Sequence, residues 1–244
     1  MKITHIYHSG FSVELEQAAL LFDWYQGELP ELPKDRPLYV FVSHSHSDHY
    51  SPAVWDLKDR FPDVTYIIDR SVVRMDRQAA DAAKSARTFV VEERNEYPIP
   101  AQDSSKDGAG SGVYVHTIHS TDMGVAFYVE CSGAHIFHAG DLNVWYWKNE
   151  PHKENLASMI GCHNAYSELE GAEIDAAFVP LDPRLEENAP RGLQMFMECL
   201  GAKAVFPMHY WDRKDEAMAY LEDERLKPYR KLLHFEDTAE VEPF

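Results

Sequence analysis

The stretch Ser43-His44-Ser45-His46-Ser47-Asp48-His49 follows an apolar run at 38–42 and precedes Ser51-Pro52, a pair typical of a helix start. Four potential metal ligands therefore lie within six positions, directly after a segment that resembles a buried strand. A solvated polar loop is the alternative interpretation, but such a loop would not need a carboxylate beside three imidazoles. The stretch thus predicts one half of a metal site at the end of a strand.

The apolar periodicity on both sides of this stretch predicts many strands first, and strands alternating with helices in the second half. Predicted strands cover 2–7, 11–16, 19–23, 38–43, 64–68, 89–91, 97–99, 113–118, 124–130, 134–138, 174–181, 203–207 and 231–235; predicted helices cover 52–60, 74–86, 153–170, 190–200 and 213–225. This order favours an α/β (α+β) fold in which two sheets pack face to face with helices outside. The Gly- and Ser-rich segment 101–112 is predicted as a turn, so residues 1–244 are expected to form a single domain.

The composition limits the partners of the chain. Its 244 residues carry 23 basic and 41 acidic side chains, and the formal charge of -18 makes nucleic acid and anionic membranes unfavourable partners. Bound metal ions can still attract an anionic small-molecule substrate. The three cysteines are far apart, and no apolar run approaches the ~20 residues of a membrane helix. We expect a cytoplasmic protein with reduced thiols, and a homo-oligomer remains compatible with the sequence.

Three later residues could complete the metal site, because each directly follows an apolar run where a loop would leave a sheet edge. They are His119, Asp141 in Gly140-Asp141, and His209. His116 is a rival to His119 three positions earlier, although the strand period places the two on opposite faces. For Asp141 the alternative is a carboxylate that caps a turn after Gly140.

With these residues in place, the chain resembles the metallo-β-lactamase superfamily, whose H-x-H-x-D-H motif stands here as His44, His46, Asp48 and His49. The later histidine, the Gly-Asp pair and the last histidine of that pattern match the three residues above. The chain is similar to the small bacterial branch that includes the ascorbate-phosphate lactonase type. The resemblance implies a four-layer αββα sandwich of two mixed sheets. It also implies two divalent metal ions, zinc first, with manganese and iron as alternatives.

The resemblance further implies a role for each ligand. His44, His46 and His119 would hold the first ion, Asp48, His49 and His209 the second, and Asp141 would bridge them. Metal-bound hydroxide would then cleave an ester, lactone or phosphate ester, with Asp48 also orienting the hydroxide as a catalytic residue. The family's zinc β-lactamases carry Cys at the position of Asp141, and its di-iron branch carries Glu at the position of His46. These departures argue against antibiotic hydrolysis and against oxygen reduction. The alternatives are a nuclease or phosphodiesterase of the same fold, and a metal-binding sensor without turnover.

Six further residues are weaker candidates. Trp145 and Trp147 could line a substrate pocket or cover the segment 150–170. Arg184 could clamp a substrate carboxylate or phosphate, or pair with Glu186, Glu187 or a nearby acidic loop. Three residues could orient a metal ligand through a hydrogen bond: His8, Asp23 and His138. A satisfied structural histidine is the alternative for both of these histidines.

Overall fold

Within residues 1–102 and 112–243, which the computed structural model describes, thirteen strands form two mixed sheets. The first sheet has the spatial order β13 (Thr238–Glu240), β1 (Lys2–Tyr7), β2 (Gly10–Glu14), β3 (Ala19–Phe22), β4 (Leu38–Val42), β5 (Val64–Asp69), β6 (Thr88–Val91). The second has the order β12 (Ala204–Met208), β11 (Ala176–Pro180), β10 (Ala134–His138), β9 (Val125–Cys131), β8 (Val113–His119), β7 (Asn95–Ile99). Strands β3 to β6 and β10 to β12 are parallel, and the other pairings are antiparallel.

Helices cover the outer faces of the two sheets. They are α1 (Leu57–Arg60), α2 (Arg70–Met75), α3 (Arg77–Ser85), α4 (His152–Ser167), α5 (Pro190–Cys199) and α6 (Lys214–Ala219), with short 3-10 helices at Pro52–Asp56, Pro183–Asn188, Tyr220–Glu222 and Lys227–Leu232. Among the described helices, none has both the length and the apolar character that a membrane crossing requires. Helices α1 to α3 pack on the first sheet through one apolar cluster.

The main core lies between the sheets, where Phe11 of β2 stacks on Phe178 of β11 with ring centroids 4.2 Å apart. On the outer side of the second sheet, Phe137 stacks on Phe196 of α5 at 5.4 Å. Every residue of β4 is buried, which explains its unbroken apolar sequence, because a parallel strand inside a covered sheet has no solvent face. The predicted four-layer αββα sandwich is confirmed.

Among the predicted elements, one strand is wrong and one helix is divided in the structure. The predicted strand 231–235 is wrong: a 3-10 helix ends at Leu232, Leu233 makes one isolated bridge to Val205, and the last strand is β13 against β1. The predicted helix 74–86 is two helices separated at Asp76, whose side chain caps α3 by accepting from the Gln78 amide. The predicted turn at 101–112 falls mostly on residues 103–111, which lie outside the described part of the chain.

The parallel strands determine where the functional side chains gather. The carboxyl ends of β4, β10, β11 and β12 lead into His44, Asp141, Asp182 and His209. Ligands bind at the carboxyl ends of strands in many α/β folds because the loops that leave them converge there. The turn between β1 and β2 reaches the same place, since the His209 amide donates to the His8 carbonyl over 3.2 Å.

Candidate metal centre

Seven histidine and aspartate side chains form two adjacent groups at this edge. The first group contains His44, His46 and Asp141, and the second contains His8, Asp48, His49 and His209. Within each group, one nitrogen or oxygen atom per residue lies within 4.8 Å of all the others. In the first group, His44 Nε2 and His46 Nδ1 are 2.9 Å apart, so two ring nitrogens face one small volume.

Asp141 stands between the two groups, with one oxygen toward each. Its Oδ2 is 3.3 Å from His44 Nε2 and 3.9 Å from His46 Nδ1. Its Oδ1 is 3.0 Å from His49 Nε2 and 3.1 Å from His209 Nε2. Burial raises the pKa of this carboxyl, but His49 and the other nearby imidazoles outweigh this effect and hold the pKa well below its usual range. Asp141 is therefore ionised at neutral pH.

The buried atoms at the centre lack hydrogen-bond partners among the described residues. They are both ring nitrogens of His8, His49 Nε2, His209 Nε2 and Asp141 Oδ1. An unpaired buried polar atom costs about 1–3 kcal/mol, so a cluster of them is expensive unless a ligand satisfies it. Imidazole nitrogen and carboxylate oxygen are the donors that zinc and similar divalent ions take. The residues present thus fit the group that the sequence motif implies.

Asp23 lies next to the histidines that follow β4, on the side away from the ligand groups. Its Oδ2 accepts from His49 Nδ1 at 2.7 Å and from Ser43 Oγ at 2.6 Å, and its Oδ1 accepts from the Ser43 amide at 2.7 Å. Ser43 Oγ in turn accepts from His44 Nδ1 at 3.0 Å. These bonds place the proton of each histidine on Nδ1 and leave Nε2 free to bind an ion. A role for Asp23 in orienting a ligand histidine stays a prediction, which the next variant tests.

Asp23→Asn is expected to weaken metal affinity about 10- to 100-fold, the usual loss when a partner of a ligand histidine is removed. Both oxygens of Asp23 accept hydrogen bonds, so the NH2 group of an asparagine would face a hydrogen-bond donor in either orientation. Asparagine also tolerates the backbone φ of 42° at this position. A competition titration against a chromophoric chelator measures the affinity, with Asp35→Asn, an exposed carboxylate paired with Arg36, as the control. Equal affinities in the two variants would contradict this role.

His209 has an equivalent partner that the sequence analysis did not assign. Its Nδ1 lies 3.0 Å from Asp182 Oδ2, and the buried Asp182 also binds Arg184. Burial raises the pKa of Asp182, but the hydrogen bonds with His209 and Arg184 lower it by more than burial raises it, so the net shift is downward. The signal in the sequence was the position of Asp182, a carboxylate just past a strand that runs parallel to the strand before His209.

His8 and His138, which the sequence analysis considered as partners that orient a ligand, have different environments. The His8 ring lies 4.1 Å from the His209 ring, and its Nε2 is 3.6 Å from Asp48 Oδ2, which places it within the second ligand group. Burial lowers the pKa of His8 to about 4, so its ring is neutral near pH 7. His138 lies outside both groups: Nε2 is 2.9 Å from the Ser9 carbonyl, and Nδ1 accepts from the Gly140 amide. It therefore fixes the turn that carries Asp141.

The structure does not bring His119 to either ligand group. Its side chain is 45% exposed and pairs through Nδ1 with the Glu93 carboxylate, beside a neighbouring cavity. The position of a residue in the sequence does not determine the rotamer of its side chain at the end of a strand. Here the imidazole of His119 turns toward Glu93, in the loop before β7. An ion at His44 and His46 would gain His119 as a ligand only if the ring left Glu93. His116 also lies outside both groups.

The backbone at the centre is strained in a way that sequence patterns do not reveal. Four non-glycine residues there have positive φ, namely His8, Asp23, His209 and Trp211. Each such residue costs on the order of 1 kcal/mol or more, and residues of this kind concentrate at functional sites. Gly140 needs its own φ of 52°, and a Cβ there would come within 2.9 Å of both Ser43 Cβ and the Val125 carbonyl. The tight turn before Asp141 therefore requires glycine.

A cavity of about 380 Å³ opens over the two groups. It is lined by His46, Asp48, Thr121, Asp122, Asp141, Trp145, Trp147, Ser158, Arg184 and His209. Trp145 Nε1 donates to the Asp141 carbonyl at 2.9 Å, so this ring also anchors the central aspartate. The Trp145 and Trp147 amides bind Ser158 and Asn155 on α4. The two tryptophans thus line the cavity and also contact the α4 segment, and a contact with substrate stays a prediction.

Comparisons with known proteins agree with this architecture. Residues 2–209 match the family described as a beta-lactamase superfamily domain. A UPF0173 metal-dependent hydrolase of Pyrobaculum aerophilum is 25% identical over 219 residues, which cover 86% of this chain and 84% of the relative. One of Cereibacter sphaeroides is 27% identical over 170 residues, or 64% of this chain and 71% of the relative. Igni18, a metallo hydrolase from Ignicoccus hospitalis, aligns over 99% of both chains with a TM-score of 0.65 and 15% identity, a likeness of fold alone.

Proposed function

We propose that this chain, which belongs to the beta-lactamase superfamily and is a metal-dependent hydrolase, holds two divalent ions that share Asp141. The observation that carries the proposal is the orientation of that carboxylate, with one oxygen toward His44 and His46 and the other toward His49 and His209. Asp48 and His8 complete the second group. Zinc suits these donors best, and manganese or iron would accept them too.

Such ions supply Lewis acidity, which lowers the pKa of a water molecule and polarises the oxygen of the bond to be cleaved. The protein's own residues orient the reactants. Burial raises the pKa of Asp48, but its contact with His8 outweighs this effect and holds the pKa well below its usual range. Asp48 lines the cavity as a carboxylate, so it can accept a hydrogen bond from the attacking water and fix its direction.

The cavity supports a small substrate. A volume of about 380 Å³ lies near the lower end of the range for small-molecule pockets. Trp145 and Trp147 give it apolar walls, while Thr121 and Ser158 offer hydroxyl groups. We therefore propose an ester, lactone or phosphate ester as the cleaved bond.

A substrate panel on metal-loaded protein tests this proposal. We expect turnover of at least one small ester, lactone or phosphate ester, with a dependence on added zinc, manganese or iron. Failure to hydrolyse any member while two ions remain bound would favour a binding module. Salt-sensitive binding of single-stranded RNA in a filter assay would instead favour a nuclease, since phosphate contacts release counterions.

A further inference from the structure

Arg184 is the one lysine or arginine among the residues that line the cavity above the ligand groups. Its guanidinium carbon lies 4.3 Å from the ring centroid of Trp211 and 5.6 Å from that of Trp147. Both distances fall within the range of cation–π contact, which favours a fixed guanidinium. The two indoles thus hold the planar cation beside the cavity.

The Nε–Nη2 edge of Arg184 is already used by the protein. Nε donates to Asp182 Oδ1 at 3.1 Å and Oδ2 at 2.9 Å, and Nη2 donates to Oδ2 at 2.6 Å, so the bidentate clamp that the sequence suggested for a substrate is made to Asp182. Glu186, the alternative partner, binds Lys148. Nη1 makes no hydrogen bond to any residue in the described ranges. Arg184 therefore keeps one nitrogen, with two donor hydrogens, for a ligand.

The charges around Arg184 favour a single negative group at this nitrogen. Asp182 lies between Arg184 and His209, and its carboxylate contacts both side chains. Asp48 and Asp141 face the ligand groups, and Asp122 is the remaining carboxylate in the cavity lining. Lys148 is paired with Glu186 and lines an adjoining cavity of about 210 Å³, which Trp147 and Arg184 also line. One free nitrogen and one cation match a carboxylate monoanion better than a phosphate, which commonly gathers several donors.

We propose that Nη1 of Arg184 binds a carboxylate of the substrate, so that the substrate is an ester or lactone of a small organic acid with a free carboxylate away from the cleaved bond. This inference rests on the proposed function, because it places the cleaved carbonyl at the ligand groups. The part of the substrate between the cleaved carbonyl and the free carboxylate would lie along Trp145 and Trp147. These apolar rings favour methylene or aromatic carbon there over a further charged group. Arg184 thereby determines specificity while it also positions Asp182 behind His209.

Binding of simple carboxylates to zinc-loaded protein tests the inference by calorimetry. Acetate measures the interaction at the ligand groups alone, whereas succinate, glutarate and adipate present a second carboxylate at increasing distance. We expect one of these dicarboxylates to bind about tenfold more tightly than acetate. Arg184→Gln is expected to remove this gain, measured as the ratio of dicarboxylate to acetate affinity within the same variant. Lys148→Gln, the matched control, is expected to keep the gain.

Several outcomes would overturn the inference. They are a wild-type protein with no dicarboxylate advantage and a variant Arg184→Gln that keeps this advantage. Metal content of each variant separates loss of the subsite from loss of the ions, and Arg184→Lys, which keeps the charge, serves if Arg184→Gln loses metal. Dicarboxylate binding without any esterase or lactonase turnover would refute the proposed function alone. Turnover that is independent of Arg184 would refute only the subsite.

Discussion

Asp141→Asn is expected to lower kcat by at least about a thousandfold, the upper range for loss of one electrostatic catalytic group, and to reduce the bound metal to one ion or fewer per chain. Each oxygen of Asp141 faces a different ligand group, so either orientation of the asparagine amide turns an NH2 toward one of them. The neutral amide also removes the negative charge among four histidines. Steady-state kinetics and elemental analysis of the same preparation measure both effects.

His116→Ala is the control for that variant. His116 is a histidine of the same sheet, on β8 opposite Glu96 and Tyr128, and it belongs to neither ligand group. Its replacement should leave the metal content unchanged. A preparation of Asp141→Asn with two ions and wild-type turnover would refute the assignment of Asp141 as the shared ligand.

Removal of metal is expected to lower Tm by at least about 8 °C. An ion present at a thousand times its Kd stabilises the folded state by about 4 kcal/mol, and a chain of this size shifts by about 2–4 °C per kcal/mol. The buried unpaired atoms of His8, His49, His209 and Asp141 make the effect large, because they lose their only partner. Calorimetry before and after dialysis against a chelator measures the shift.

Added zinc should restore Tm in the wild-type protein. Asp141→Asn should show a smaller shift on chelation, since it binds less metal from the start. An unchanged Tm in chelator-treated wild-type protein that elemental analysis shows to be free of metal would mean that the two groups do not depend on ions for their stability.

The elements with strong local patterns could be predicted from sequence. The continuous apolar run of β4 and the clustered ligands after it identified both a buried strand and the first part of the site. Asp141 and His209 were predicted as ligands because each directly follows an apolar run, and the structure brings both into the candidate groups. These signals are local, since they depend on strand burial and on the residue that follows the strand.

The remaining features depend on contacts between distant segments. His8 joins the second ligand group because the turn after β1 meets the end of β12. The hydrogen bond from His209 to His8 joins residues 201 positions apart in sequence. Asp182 depends on the parallel pairing of β11 with β12. His119 pairs with Glu93, and the predicted strand 231–235 overlaps a 3-10 helix at Lys227–Leu232. No local periodicity encodes these four arrangements.

Anomalous X-ray diffraction from zinc-loaded crystals tests the shared-carboxylate centre most directly. The account predicts two zinc peaks per chain, one within the group of His44 and His46 and the other within the group of His8, Asp48, His49 and His209, with Asp141 as the shared ligand. A single peak at full zinc loading, or two peaks without Asp141 between them, would contradict it.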